Sequence, residues 1–341
     1  MRELLNTLYV QTPGTWLMLD HDSVIARVAD EPLRRVPLRR LQGIAVFGPV
    51  SVSTPLVLRC GRDGIALAWF TSSGRFRCSL RAPTIGNVLL RRAQYAAHDH
   101  ASERLDLART IVAGKLVNAS RFARHGARLV RDSGDAVALR SSATVIDSMR
   151  LTLPDAEDLD TVRGIEGQAS KRHFENIRRC LTVDLGFESR SRRPPLSPFN
   201  ALLSFAYGLS RVRVEHALDG VGLDPQVGYL HSIRPGRPAL ALDLLEEFRP
   251  LLDRFAVTLA NRRQIDRSGF DVQEGGSVTL NERGRRKVLE TWSAFLESEV
   301  RHRALKEMVP FGLLFNVQAT ILARAVRGDL PAYLPHTVEA D

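Results

Sequence analysis

The chain has 341 residues, 44% of them hydrophobic and 25% charged, which is enough apolar material for the packed core of one large domain or two ordinary ones. Its formal net charge is +10 and the basic excess is almost all arginine, since Lys115, Lys171, Lys287 and Lys306 are the only lysines; whatever the genome contributes to that bias, the result attracts polyanions. No apolar run approaches a membrane span and the N-terminus lacks signal-peptide order, while Cys60, Cys78 and Cys180, odd in number and without paired metal spacing, read as reduced, packed thiols of a cytoplasmic protein.

Residues 1 to about 82 read as β-rich. Short apolar or alternating runs at 5–10, 15–20, 23–28, 33–38, 43–47, 65–70 and 75–80 are separated by turn signals such as Pro13-Gly14, Asp63-Gly64 and Ser73-Gly74. The stretch 53–60, with Ser53 or Thr54 as cap and Pro55 in the first turn, predicts one short helix. After Pro83 the texture becomes helical, rich in Ala, Leu and Arg, and stays so to about residue 330, with loops expected near 132–136, 186–198, 219–238 and 267–280. Residues 330–341 have no period and are expected to fray. The fold class is therefore α+β, with a small β domain over 1–85 and a larger, mainly α-helical catalytic domain over 86–341.

The helix expected over 164–181 carries an anomaly. Ala169, Ser170, His173, Phe174, Ile177, Cys180 and Leu181 form one stripe and Gln168, Lys171, Arg172, Glu175, Arg178 and Arg179 the opposite one, yet Glu166 falls in the middle of the first. A buried carboxylate needs a proton, an arginine or a metal ion to neutralise it. Further on, a loop holding His231 leads into a helix from about Ala239, in which Ala241, Leu244, Leu245 and Phe248 form the core stripe. Glu246 stands off that stripe with Asp243 and Arg249 each roughly 60° away, an acid beside an acid with an arginine placed to orient one of them. On spacing alone, Asp243 and Glu247 read as facing solvent or an arginine.

Two carboxylates and an imidazole suit Mg2+ or Mn2+ better than zinc, and oxygen-rich sites with open positions serve phosphodiester chemistry. Spacing alone leaves a salt bridge from Glu166 to Arg163 or Arg249 as open as the metal. The basic loop Arg190–Arg193 lies between two helices and reads as a clamp on a DNA backbone, and the histidines at 98, 100 and 125 read as surface residues.

The ordered set RGIEGQA at 163–169, RRPP at 192–195, PFNALLSFAY at 198–207, His231 with Gly236 and Arg237, and LALDLLEEFRP at 240–250 resembles the CRISPR-associated integrase family. These are the metal-dependent endonucleases that insert new spacers into CRISPR arrays, and the likeness is to the kind found in type I systems. The resemblance covers nearly the whole chain. It implies Mg2+ or Mn2+ bound by Glu166, His231 and Glu246 as the catalytic set, with Asp243 behind the ligands, Arg249 near the phosphate, and Tyr207 and Asn200 close by. It also implies DNA contacts from Arg163, Arg190, Arg192, Arg193 and Arg237. The reaction implied is attack of a 3′-hydroxyl on a phosphodiester at the repeat border, with hydrolysis when water replaces the hydroxyl. The partners implied are double-stranded protospacer and repeat DNA, a second copy of the chain through the β domains, and a small ferredoxin-like CRISPR-associated protein. The sequence departs from the family pattern at Ser197, where an acid often precedes Pro198, and at His173, where an aromatic such as Tyr is expected. Two other functions fit the same residues: a stand-alone metal-dependent nuclease acting on branched DNA in repair, and a non-catalytic DNA-binding scaffold.

Overall fold

The structure is a computed structural model, which describes residues 7–29, 31–80 and 88–339. Two four-stranded sheets build its N-terminal part. One has the order β1 (Thr7–Val10), β5 (Gly43–Phe47), β7 (Ala66–Phe70), β8 (Phe76–Ser79), with the first three parallel and β8 antiparallel to β7. The other has the order β4 (Glu31–Pro37), β3 (Ser23–Val28), β2 (Thr15–Asp20), β6 (Ser51–Val52), antiparallel except for the β2–β6 pair. A helix, α1 (Thr54–Asp63), lies between β6 and β7. The alternation of side chains along β5 explains how the two sheets and the rest of the chain fit together. Ile44 and Val46 point into a small core with Leu17, Val24, Leu56 and Leu67, whereas Ala45 and Phe47 point the other way into the helical part. There Phe47 lies 4.8 Å from Phe70 and 6.1 Å from Phe205, so the β and helical parts share one continuous apolar cluster. The boundary expected at residues 85 and 86 falls in 81–87, outside the described residues.

The helical part comprises α2 (Val88–Asp99), α3 (Ala101–Leu129), α4 (Ser133–Leu151), α5 (Leu159–Cys180), α6 (Pro198–Val221), α7 (Ala239–Glu246), α8 (Arg249–Asn261), α9 (Glu282–Glu297) and α10 (Phe311–Val326). Local chemistry fixes several of its ends. The Asp158 side chain accepts from Thr161 N to start α5, the Ser197 side chain accepts from Asn200 N to start α6 with Pro198 in the first turn, and Gly222 closes α6 in the left-handed region at φ 91°. The acid expected before Pro198 is thus replaced by a serine that does the capping itself. The long α3 packs against α4, α5, α7 and α8 and forms the spine of this half. Two hairpins, β9–β10 (Phe270–Val272, Val278–Leu280) and β11–β12 (Glu299–His302, Glu307–Pro310), flank α9.

Over 330–339, the described part of the segment expected to fray, the chain is tied down instead. Tyr333 and His336 are buried, and their hydrogen bonds run back to α3 and α7. Tyr333 Oη donates to Glu247 Oε1 at 3.0 Å, His336 N donates to Glu247 Oε2 at 2.9 Å, and Asn118 Nδ2 donates to the carbonyls of Glu247 and His336 at 2.7 and 2.9 Å. The segment is anchored by backbone polar groups meeting two buried side chains, which leaves no periodic trace in the sequence. Glu247 therefore faces this strap and not solvent. Burial pushes its carboxyl up to about 8 although Tyr333, Gln318 and the His336 amide favour the charged form. A carboxyl raised in the folded state stabilises below its unfolded value of about 4.3 and loses that contribution as pH rises through 8. Glu247→Gln should therefore flatten the fall in melting temperature between roughly pH 5 and 8 and raise it at pH 8 by ~2–5 °C, which thermal unfolding across a pH series will measure.

Of the three thiols, Cys60 and Cys180 are buried, and burial pushes them up to about 11 and 12, as inert core thiols. Cys78 is exposed, contrary to the packed environment expected of it, because β8 is the edge strand of its sheet.

Candidate metal centre

The centre is assembled by five pieces of chain. Helix α7 contributes Asp243 and Glu246, one turn apart on its buried side; both are buried, Asp243 completely. Asp243, expected from spacing to face outward, instead organises the loop before its own helix. Its Oδ2 accepts from the amides of Tyr229 (2.5 Å) and Leu230 (3.0 Å), and its Oδ1 accepts from the His231 amide (2.9 Å) and lies 2.6 Å from His231 Nδ1. A carboxylate can only accept, so Nδ1 carries the hydrogen and Nε2 presents its lone pair, 3.9 Å from Glu246 Oε1. The loop is held from outside as well. Arg163 donates to Leu230 O through Nε and Nη2 (2.9 and 2.7 Å), Arg104 donates to Tyr229 O (3.1 Å), and His98 Nδ1 lies 2.6 Å from Gly228 O. His98, read as a surface residue, is thus a prop of this loop, and Arg163 is engaged with the loop and Asp160 and does not reach out toward a ligand.

Helix α5 supplies Glu166. The carboxylate is half-buried, with 24% of its side chain exposed, and neither Arg163 nor Arg249 pairs with it. It accepts from Ser170 Oγ at 2.7 Å and from the ammonium of Lys115, which also donates to Glu246 Oε2 at 2.5 Å. Lys115 belongs to the buried face of α3, among Ala108, Ile111, Val112, Leu116 and Ala119. Burial alone would lower its ammonium, but Glu246 and Glu166 outweigh that and raise it, so the charge stays. Burial would likewise raise the Glu246 carboxyl; Arg249, Lys115 and His231 win and hold it down at about 2. Arg249 Nε donates to Glu246 Oε1 at 2.8 Å, and its guanidinium lies 4.8 Å from the Tyr207 ring centroid.

Two carboxylates and an imidazole locked through its far nitrogen are a donor set that suits Mg2+ or Mn2+. Among the described residues, no three acidic, histidine or cysteine groups close into a ready ion cage; at this centre the Lys115 ammonium bridges Glu166 and Glu246. The donors fit the ion in kind, and the lysine stands where they would converge on it.

A family model described as CRISPR associated protein Cas1 matches residues 8–294 of the chain. The chain belongs to the Cas1 family. Among curated relatives, CRISPR-associated endonuclease Cas1 1 of Moorella thermoacetica is 42% identical over 98% of this chain and 99% of its own length, and that of Chlorobaculum tepidum is 40% identical over the same shares. Among solved structures, a CAS1 protein from Thermotoga maritima has a TM-score of 0.80 at 23% identity, covering 95% of this chain and 97% of its own. A casposase bound to integration product has a TM-score of 0.85 at 19% identity, covering 99% and 95%. These two share the Cas1 fold with this chain, β strands first and helices after, as the sequence led us to expect. The expected activity, an endonuclease and integrase of spacer acquisition, is that of the family.

Around the centre of this Cas1-family chain the other expected residues take different places. Tyr207 is buried and donates its hydroxyl to Asp253, and His173 Nε2 lies 2.9 Å from the other oxygen of the same carboxylate. The histidine that replaces the expected aromatic thus shares Asp253 with Tyr207, an acid the sequence reading had not singled out. Asn200 does not face the centre. Its Oδ1 accepts from Ser191 N (3.1 Å) and Arg190 Nη1 (3.0 Å) and its Nδ2 donates to Ser189 O (2.9 Å), so it pins the basic loop to α6. Arg190 is folded inward, donating to Ser204 Oγ at 3.0 Å and lying 5.5 Å from the Tyr207 centroid, and is not an open contact for DNA. Arg192 and Arg193 are exposed. Burial lowers the Arg237 guanidinium, and so do its neighbours Arg234, Arg192 and Arg193, which marks a cationic cluster beside the His231 loop. Lys115 and Asp253 are what sequence reasoning missed. The signal for Lys115 was present, a charge inside the apolar stripe of α3; Asp253 sits in the α8 pattern with no such flag.

Proposed function

We propose that this Cas1-family chain inserts protospacer DNA into a CRISPR array at a centre in which Glu166, His231 and Glu246 hold one Mg2+ or Mn2+. The observation that carries the assignment is the Asp243–His231 pair, which leaves one imidazole lone pair facing the same small space as two carboxylates. An ion bound there supplies charge screening for the phosphodiester under attack. The bond from phosphorus to the incoming 3′-oxygen forms as the bond to the displaced strand's 3′-oxygen breaks. One proton leaves the attacking hydroxyl and one joins the departing oxygen, so the number of phosphodiesters is conserved and no ATP is needed. Asp243 fixes the imidazole and Arg249 sets Glu246 while adding positive charge beside the phosphate. Tyr207 is assigned no part in the bond exchange, since it is buried and its hydroxyl is engaged with Asp253. The exposed Arg192 and Arg193, with Arg234 and Arg237 beside them, hold the DNA backbone.

The partners proposed are double-stranded protospacer and repeat DNA, a second copy through the N-terminal β part (residues 1–85), and a small ferredoxin-like CRISPR-associated protein. A solved structure described as a Cas6-RT-Cas1–Cas2 complex, in which this chain matches 37% of the neighbour's length with a TM-score of 0.81 at 20% identity, supports an assembly of that kind. On the β part, Trp16 and Leu58 are exposed apolar residues available to a second copy. No helix among the described residues is long and apolar enough to cross a membrane.

The test is an integration assay with the small partner, a short duplex with 3′-hydroxyl ends and a supercoiled array plasmid. Wild-type protein should join the duplex to the array with Mn2+ or Mg2+ and stop with a chelator; unchanged integration by Glu166→Gln overturns the metal assignment. In a duplex titration, Arg192→Ala with Arg193→Ala should weaken binding by ~3–10-fold and reduce the slope of log K against log salt by about 2. A slope equal to that of wild type removes the clamp.

A further inference from the structure

We propose that Lys115 is an internal counter-ion of the metal centre: its ammonium bridges Glu166 and Glu246 and holds them converged, and yields them when a divalent cation binds. The inference rests on the metal assignment above. Its starting point is geometric. One nitrogen donates to Oε1 of Glu166 and, at 2.5 Å, to Oε2 of Glu246, from a side chain only 7% exposed. These carboxylates come from α5 and α7, which are separated in sequence by some of the longest loops in the helical half, and α3 is the element that packs against both.

Charge counting decides what happens next. Two carboxylates are balanced by Lys115 and by Arg249, which donates to Glu246 at 2.8 Å. A divalent ion added there brings two more positive charges into a mostly buried site, where Asp243 behind His231 offers one further negative charge, and it needs the oxygen lone pairs that the ammonium holds. The ammonium and the ion are therefore rivals for the same oxygens. Arg249 can stay, because it approaches from α8 and bonds the other Glu246 oxygen. Lys115 is the group able to leave. Its charge is a compact point on a flexible four-carbon stem, where an arginine would present a rigid fork, and the Glu166 side of the site, 24% exposed, opens toward solvent. The choice of residue bears this out. Of 48 basic residues only four are lysines, and Lys171, Lys287 and Lys306 are exposed, so the single buried lysine of an arginine-rich chain lies where a movable cation is useful.

Such a counter-ion has opposite effects on two measurable quantities, which separates it from a lysine that only holds helices together. Purified full-length wild type, Lys115→Met and Lys115→Gln are titrated with Mn2+, read by electron paramagnetic resonance of the free ion, and unfolded thermally with a chelator and with Mn2+. In chelator the two uncharged variants should melt below wild type. They should nevertheless bind Mn2+ at least about tenfold more tightly, and Mn2+ should raise their melting temperature more than it raises that of wild type. Glutamine keeps donors for both carboxylates, so it tests the charge if the methionine variant folds poorly. Lys115→Arg, which keeps the charge on a stiffer group, should bind Mn2+ no more tightly than wild type. Equal or weaker Mn2+ binding by both uncharged variants, with wild type binding and Glu166→Gln not, overturns the counter-ion role while leaving the metal site intact. Absence of Mn2+ binding by wild type, or equal binding by Glu166→Gln, overturns the metal site and this inference together.

Discussion

Glu246→Gln should abolish strand transfer, by at least about 10³-fold, in a protein that still folds but melts several degrees lower. The loss of activity follows from the charge. Arg249, Lys115 and His231 overcome burial and hold this carboxyl at about 2, so it is ionised at every pH at which the protein works, and the isosteric amide removes that charge without removing volume. The loss of stability follows from hydrogen bonding. Glu246 accepts from Arg249 Nε and from Lys115 Nζ on its two oxygens, and an amide must turn its NH2 toward one of those donors. Arg249 then loses the carboxylate it pairs with, while Lys115 keeps Glu166, at a cost of about 1–3 kcal/mol. Glu166→Gln provides the contrast. Its carboxylate is a quarter exposed and shares Lys115 with Glu246, so the lysine keeps a charged partner when Glu166 is neutralised. Activity should fall as far, while the melting temperature in chelator should change little. Neutralising Glu166 relieves no unpaired buried charge, because Lys115 already pairs with it. Equal integration by Glu246→Gln and wild type, measured as joined product per unit time, would exclude Glu246 from the chemistry.

The sequence was most legible where chemistry repeats with a period. The strands at 15–20, 23–28 and 43–47 lie where alternation and turn residues put them, because each sheet is one-sided or packed in a regular alternation. The helix of Glu166 was legible from its stripe, and the helix of Glu246 from its core face. What spacing could not deliver was the identity of the partner. Glu166 looked buried and in need of an arginine or a metal, and the residue that meets it comes from position 115, some fifty residues earlier, on another helix. The outward reading of Asp243 and Glu247 failed for a related reason. Both lie on the flank of a helix that is enclosed on several sides, by the His231 loop in one case and by the 333–338 strap in the other. Neither loop nor strap has a hydrophobic period, since both are tied down through backbone amides and carbonyls. Asn200 and Arg190 were found by motif, yet their hydrogen bonds place them in the scaffold of the basic loop.

Asp243→Asn should cost about 100-fold or more in strand transfer and, unlike His231→Ala, should also destabilise the protein. The carboxylate has two jobs that an amide cannot do together. It accepts from three successive backbone amides and also from His231 Nδ1, using both oxygens twice. Asparagine has one acceptor oxygen, so its NH2 must face either the Tyr229 and Leu230 amides or the His231 pair, donor against donor. If it faces the amides, the 228–231 loop loosens; if it faces the imidazole, Nδ1 must become the acceptor, and the hydrogen moves to Nε2, the nitrogen meant for the ion. Either way the ligand proposed at His231 is lost, and the loop is closely packed, since even a Cβ on Gly228 would come within 2.5 Å of Asp243 Oδ2 and 2.7 Å of the Ala239 backbone. His231→Ala removes the ligand but leaves the three amide contacts to Asp243, so its melting temperature in chelator should stay near that of wild type. The pair of variants therefore divides loop support from ligand supply. If Asp243→Asn melts like wild type in chelator and still binds Mn2+ as tightly, Asp243 neither holds the loop nor sets the imidazole, and the position of His231 Nε2 needs another cause.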